Sequence, residues 1–294
     1  MQNKCKVNGI DYGSYQLGVG AALDVVKVDN PFCHVEIAEQ GAQVLSFYSK
    51  KNAKHVLWCT PSHYFKANKA IRGGIPFCFP WFGNHPSDKN LPAHGFARNS
   101  VWQLQAVEQL ADQSHQIIFS LQDNETTRQY WPHAFIAEMK MNCAEKLTLE
   151  FTLTNKDQQA YSFGFAWHSY FAVDEILNTK IEGFDSTAYL DQLTMQQGIH
   201  QGDIQFVEEF DRIYQNTSGH YWVKSAENIT QIDSPTCQSA VVWNPWQDKT
   251  IRLGDVEEKA WHQFVCVESG QIAQHEVIVQ PQQQLAYRLD IQML

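Results

Sequence analysis

Two titratable side chains stand in segments that otherwise read as protein interior. His168 lies in FGFAWHSYFAV, residues 163–173, and Glu268 closes HQFVCVE, residues 262–268. Alternation with period two puts Phe163, Phe165, Trp167, Phe171 and Val173 on one face of the first segment. Gly164, Ala166, His168, Tyr170 and Ala172 take the other. Small neighbours along that face leave room for a ligand above the imidazole, although a core histidine donating to a backbone carbonyl fits the pattern equally well. The second segment is apolar on both faces and reads as a strand buried on both sides, ending at Glu268 before the turn-like Ser269-Gly270. A carboxylate on an internal strand is costly unless it is paired, hydrogen-bonded or protonated. The alternative is a strand-end glutamate pointing into water. Taken together, the imidazole and the carboxylate form a candidate acid–base couple.

A second group of candidates is cationic. In IRGGIPFCFPWFGNHPSDKNLPAHGFARNSVWQL, residues 71–104, Arg72 and Arg98 frame a run of Gly, Pro, Phe and Trp that also holds His94. Gly73-Gly74 after Arg72 permits close approach of backbone to a ligand, and LPAHGFAR at 91–98 sets a turn before His94 and Gly95. Paired guanidinium groups suit phosphate through planar hydrogen bonds, and Lys69 is nearby in sequence. The competing reading is that both arginines pair with internal acids. No GxxxxGK[ST] phosphate loop is present. Asp211, in FDRIY at 210–214, sits beside Arg212 and by default forms a surface ion pair with it.

Strands must position these groups. LTLEFTLT at 147–154 and the alternating run 285–293 are the clearest, and similar strands fit 34–38, 43–48, 116–122, 134–142 and 239–243. AEK at 144–146 reads as a hairpin turn, QPQQQ at 280–284 as a polar loop, and DVEEKAW at 255–261 as a short helix. No linker or internal repeat divides the 294 residues, so one all-β domain of two packed sheets over 1–294 is expected. An aromatic content of 13% agrees with strands rather than helices.

The formal charge of −10, with no basic stripe, makes nucleic acid a poor partner and requires any anion site to be a local positive pocket. Seven scattered cysteines without CxxC or zinc spacing read as buried thiols in a reducing compartment. The N-terminal residues lack a signal-peptide core and no apolar run approaches 18 residues, so a cytoplasmic protein without a membrane span is expected.

The order IRGGIPFCFPWFG, LPAHGFARN…W, FAWHSYF, DRIY, CVES resembles the galactose mutarotase-like superfamily, within it the hexose-6-phosphate mutarotases (glucose-6-phosphate 1-epimerases). The resemblance implies a large antiparallel β-sandwich, the supersandwich of that superfamily, with few short helices and a sugar on an open concave face. It implies interconversion of α and β anomers by ring opening and closure, with no metal and no cofactor; a monomer acting on a small phosphosugar is expected. Residue by residue, it implies catalytic roles for His168 and Glu268. Arg72, Arg98 and Asp211 match substrate-binding positions and His94 the second active-site histidine. Some members carry Gln immediately before the HGFAR histidine as a ligand contact; here that position is Ala93. A mutarotase of neutral hexoses and a non-catalytic carbohydrate-binding sandwich are the alternatives.

Overall fold

The computed structural model describes residues 6–85 and 87–294; Cys5, counted above among the buried thiols, lies outside them. Apolar alternation is the dominant local order, and antiparallel strands follow from it. In Leu147–Asn155 the side chains of Leu147, Leu149, Phe151 and Leu153 are all buried. This strand pairs with Phe135–Cys143 across the AEK turn, Cys143 facing Leu147, and with Gln284–Met293 on its other side. Together they form the middle of a nine-stranded sheet whose edges are Gln103–Gln109 and Ile204–Gln205. An eight-stranded sheet runs from Gln197–Ile199 to Phe77–Cys78, with Phe264–Gln271 among its inner strands. A five-stranded sheet from Ile10–Gly18 to Lys54–His55 and the pair Tyr161–Phe163 with Val277–Val279 complete the β structure.

The two large sheets bury their facing sides in one core. Phe119, Met139, Phe151 and Leu289 enter it from the nine-stranded sheet, and Phe165, Trp167, Val242 and Val265 from the eight-stranded one. Phe77 reaches Phe151 and Phe165 reaches Tyr287, each with ring centroids 4.6 Å apart, so aromatic contacts bridge the layers. Each such fully buried ring contributes roughly 1.5–3 kcal/mol of apolar transfer energy. The expected antiparallel β-sandwich is therefore the fold.

Helix is confined to short pieces, and one is displaced from its expected position. The chain is helical at Trp246–Leu253, and 255–261 holds only a 3₁₀ turn, Ala260–His262. Asn244 Oδ1 accepts from the Trp246 N–H at 2.9 Å, which starts the helix early. Gly254 at φ +68° then closes it, so the charged run falls after the end. No helix among the described residues is long and apolar enough to cross a membrane.

Candidate active site

The outer face of the eight-stranded sheet carries the site. Tyr170 faces Cys266 and Trp167 faces Ser269, so the antiparallel register places His168 opposite Glu268, although ladder bonding is interrupted between the strands Phe165–Trp167 and Tyr170–Ala172. The register continues across the sheet. Trp243 faces both Cys266 and Asp211, while Val241 faces both Glu268 and Ile213. Two adjacent cross-strand rows result: Asp211, Trp243, Cys266, Tyr170, then Ile213, Val241, Glu268, His168. Cross-strand neighbours on one face have Cβ atoms about 5 Å apart, which is why a residue pair a hundred positions distant in sequence meets. The His168 Nε2 atom lies 3.3 Å from Glu268 Oε1.

Two sequence expectations need correction here. The strand does not end at Glu268; Phe264–Gln271 runs on through Ser269 and Gly270. A Cβ on Gly270 would stand 2.1 Å from the Phe165 carbonyl oxygen, so this glycine serves close strand approach rather than a turn. Nor are the neighbours of His168 all small: the Tyr170 ring stacks on its imidazole at 4.8 Å and 11°, and Trp243 meets it edge-on at 5.9 Å.

The couple is deeply buried, the Glu268 side chain 2% exposed and that of His168 11%. Among the described residues Glu268 Oε2 and His168 Nδ1 find no hydrogen-bond partner, the unmet demand that a hydroxylated ligand would satisfy. Burial pushes the Glu268 carboxyl well above the usual range, Asp211 adding to the rise and Arg98 opposing it. Burial also pushes His168 well below its ordinary value, helped by His94, Arg98 and Arg72. Both shifts favour the uncharged forms, a neutral imidazole beside a protonated carboxyl, so that the two groups share one titratable proton.

His94 is set by backbone geometry. It adopts φ +64°, followed by Gly95 at +72°, where a Cβ would stand 2.0 Å from the Phe79 carbonyl oxygen. Its Nδ1 accepts from the Gly83 N–H at 3.3 Å and its ring lies 5.9 Å from that of His168. Burial and the two arginine charges depress it to about 3, so it stays neutral.

Asp211 does not pair with its neighbour. Adjacent strand residues face opposite ways, and Arg212 turns to the face away from the site, where it meets Asp191, Nε to Oδ2 3.0 Å. Asp211 turns onto the site face, where Gln192 Nε2 donates to its Oδ1 at 2.5 Å. Burial raises its carboxyl to about 6; Gln192 and Lys249 oppose the rise, and Glu209 and Asp191 add to it. The folded protein therefore holds this proton more tightly than the unfolded chain, and stability falls as pH rises from about 4 to 6. A shift of this size corresponds to about 3 kcal/mol. Asp211→Asn should flatten that part of the stability profile and raise the thermal midpoint at pH 7, while leaving pH 4 nearly unchanged. Melts of both proteins between pH 4 and 7 would show it, and parallel profiles would refute it.

The arginines meet at a cavity of about 510 Å³ that Lys66, Lys69, Arg72, Arg98 and Tyr170 help to line. Arg72 is not free: Nε and Nη2 bond Asp255 at 2.7 and 3.1 Å, and Nη1 donates to the Tyr170 hydroxyl at 3.4 Å. The internal-acid reading thus holds for Arg72. Arg98 differs. Its Nη2 donates to the Ala93 carbonyl at 2.9 Å, its Nε is buried without a partner, and no carboxylate among the described residues forms a salt bridge with it. Ala93 lines the same cavity, adding space where a glutamine would project.

Sequence reading missed Asp255, Gln192 and Cys266, whose only signals are long-range register and loop placement. As for metals, one group among the described residues could ligate an ion: His168, Cys266 and Glu268, with ligating atoms within 4.8 Å of one another.

Comparison with known proteins assigns this architecture. The aldose 1-epimerase family profile matches residues 24–292. A Salmonella typhimurium protein provisionally named glucose-6-phosphate 1-epimerase is 33% identical over 251 residues, covering 84% of this chain and 83% of that one. One of the same provisional name from Escherichia coli is 31% identical, covering 84% and 83%. The crystal structure of a provisionally named mutarotase from Salmonella typhimurium superposes with TM-score 0.84 at 30% identity, covering 92% and 90%. A galactose mutarotase-like protein from Clostridium acetobutylicum, at TM-score 0.73 and 12% identity over 98% and 99%, shares the fold alone. An epimerase fold spanning nearly the whole chain, with relatives matched over most of their length, establishes that the chain belongs to the aldose 1-epimerase family.

Proposed function

We propose that the protein is a glucose-6-phosphate 1-epimerase, a D-hexose-6-phosphate mutarotase. One observation carries the reading: Tyr170 joins an acid–base couple to a cationic cavity, its ring stacked on His168 and its hydroxyl against Arg72. A sugar ring over the couple would have its charged substituent within reach of Arg72 and Arg98.

Mutarotation opens a pyranose by removing the proton on O1 and giving one to the ring oxygen O5, then closes it on the other face of C1. Two groups sharing one proton can do both. In the proposed direction Glu268, as carboxylate, takes the O1 proton and His168, as imidazolium, protonates O5; rotation about C1–C2 and reversal of roles complete the exchange. Moving the resting proton from Glu268 to His168 sets this state. Arg98 favours the carboxylate but opposes the imidazolium. Either arrangement of the proton contains one acid and one base, so the couple is competent from both. Asp211 and the neutral His94 would orient sugar hydroxyls. These steps are proton transfers and call on no cofactor. The six described cysteines are free thiols, which suits a reducing cytoplasm.

The Arg72–Asp255 pair favours a second reading, a mutarotase of neutral hexoses, because it supplies an internal reason for one cation. Anomer exchange measured by NMR separates the two. Acceleration of glucose 6-phosphate well beyond that of glucose and galactose is expected. Acceleration of the neutral sugars alone would overturn the phosphate assignment, and acceleration of none would leave a carbohydrate-binding sandwich.

A further inference from the structure

The site face carries a buried thiol for which the proton-transfer chemistry has no use. Cys266 lies one cross-strand row from Glu268 and His168, on the same side of the sheet, and is fully buried. We propose that His168, Cys266 and Glu268 form a binding site for one thiophilic divalent cation of the Zn²⁺ type, which captures the acid–base couple when it binds.

Geometry and charge both favour such an ion. Tetrahedral Zn²⁺ with nitrogen and oxygen ligands at about 2.0–2.2 Å sets neighbouring ligand atoms roughly 3.5 Å apart. His168 Nε2 and Glu268 Oε1, at 3.3 Å, already stand at that spacing. The Cys266 sulfur completes a group whose ligating atoms fall within 4.8 Å, a gap that a small side-chain adjustment closes. Binding releases the Cys266 and Glu268 protons to solvent; the resulting thiolate and carboxylate bring two negative charges and the imidazole none, so a divalent cation gives a neutral complex. Neutrality matters here because an uncompensated charge in this environment is expensive. The Glu268 Oε2 and His168 Nδ1 atoms remain for further contacts. The ion approaches from the solvent-reached side of His168, where water completes the fourth position, as in accessible three-ligand zinc sites. The mixed nitrogen, sulfur and oxygen donor set selects against Mg²⁺ and Ca²⁺, which require oxygen cages.

The test uses the full chain, freed of metal by chelation and then titrated with Zn²⁺ against a chelating dye, and with Co²⁺ followed by absorption. One ion per chain is expected, with the intense visible bands of tetrahedral Co²⁺ and a thiolate charge-transfer band in the near ultraviolet. Loss of outer-sphere support alone weakens metal binding about 10–100-fold, so Cys266→Ser should weaken Zn²⁺ at least about 100-fold and abolish the charge-transfer band. A hydroxyl at this buried position can impair folding, so Cys266→Ala and His168→Ala are titrated alongside, with circular dichroism confirming the fold. No stoichiometric binding, a pale six-coordinate cobalt spectrum, or a charge-transfer band surviving in both Cys266 variants would each overturn the proposal. None of these readouts involves a sugar, so they stand or fall independently of the epimerase substrate.

Discussion

Glu268→Gln should lower the rate of glucose 6-phosphate anomer exchange by about 10²–10⁴-fold, the usual worth of one positioned proton transfer. Glutamine keeps the shape of the side chain but can neither accept the O1 proton nor hold the proton the couple shares. KM should change little, because the hydrogen-bonding outline survives. Stability gives the control. Burial raises the Glu268 carboxyl, so the folded state binds its proton more tightly than the unfolded chain. That group's contribution to stability therefore declines as pH rises past its ordinary range. Glutamine escapes this cost, so the variant should melt at the wild-type temperature or above at pH 7. Lost turnover with undiminished stability assigns the residue to chemistry; equal loss of both would make it structural.

The wild-type pH profile adds a second check on the same couple. His168 is held well below its ordinary value and Glu268 well above its own. Activity should then fall only when pH drops far enough to protonate the imidazole as well, or rises far enough to strip the shared proton. A broad plateau around neutrality is the signature, in contrast to the limb near pH 6.5 that a solvent-exposed histidine would give.

What could be read from sequence follows from how local each determinant is. The strands 147–154 and 285–293 declare themselves because one face of each is core and the other is not. The period-two pattern also placed His168 on the correct face. Glu268 required more. Its strand is apolar on both sides, so pattern alone could not say whether the carboxyl turned toward core, site or solvent. Only the pairing of Tyr170 with Cys266 fixes it opposite His168. Ser269-Gly270 misled because glycine serves both turns and tight strand approach, and the Phe165 carbonyl that demands it here lies a hundred residues away. The Asp211-Arg212 neighbours misled for the opposite reason: adjacency in a strand separates side chains instead of joining them. Asp255 was invisible because it acts from a loop after a helix that the sequence had placed too late.

The arginine variants test the phosphate assignment, and the Asp255 contact makes their expected order specific. Arg98→Ala removes a cation with no acidic partner among the described residues, so KM for glucose 6-phosphate should rise about 10–100-fold, the worth of a hydrogen bond to a charged group. Arg72→Ala should do more harm to the phosphosugar. It deletes one guanidinium and also strands Asp255, whose carboxylate loses its 2.7 and 3.1 Å bonds and then repels a dianion. Adding Asp255→Ala to Arg72→Ala should therefore recover part of the lost affinity, although it restores no cation. Free glucose, with no anion to hold or repel, should change little in all three proteins. Steady-state KM values for both sugars across the series decide the matter. If the double variant is no better than Arg72→Ala, Asp255 does not face the bound phosphate. If glucose and glucose 6-phosphate suffer alike, the arginines belong to the architecture, and the cavity they line holds no substrate anion.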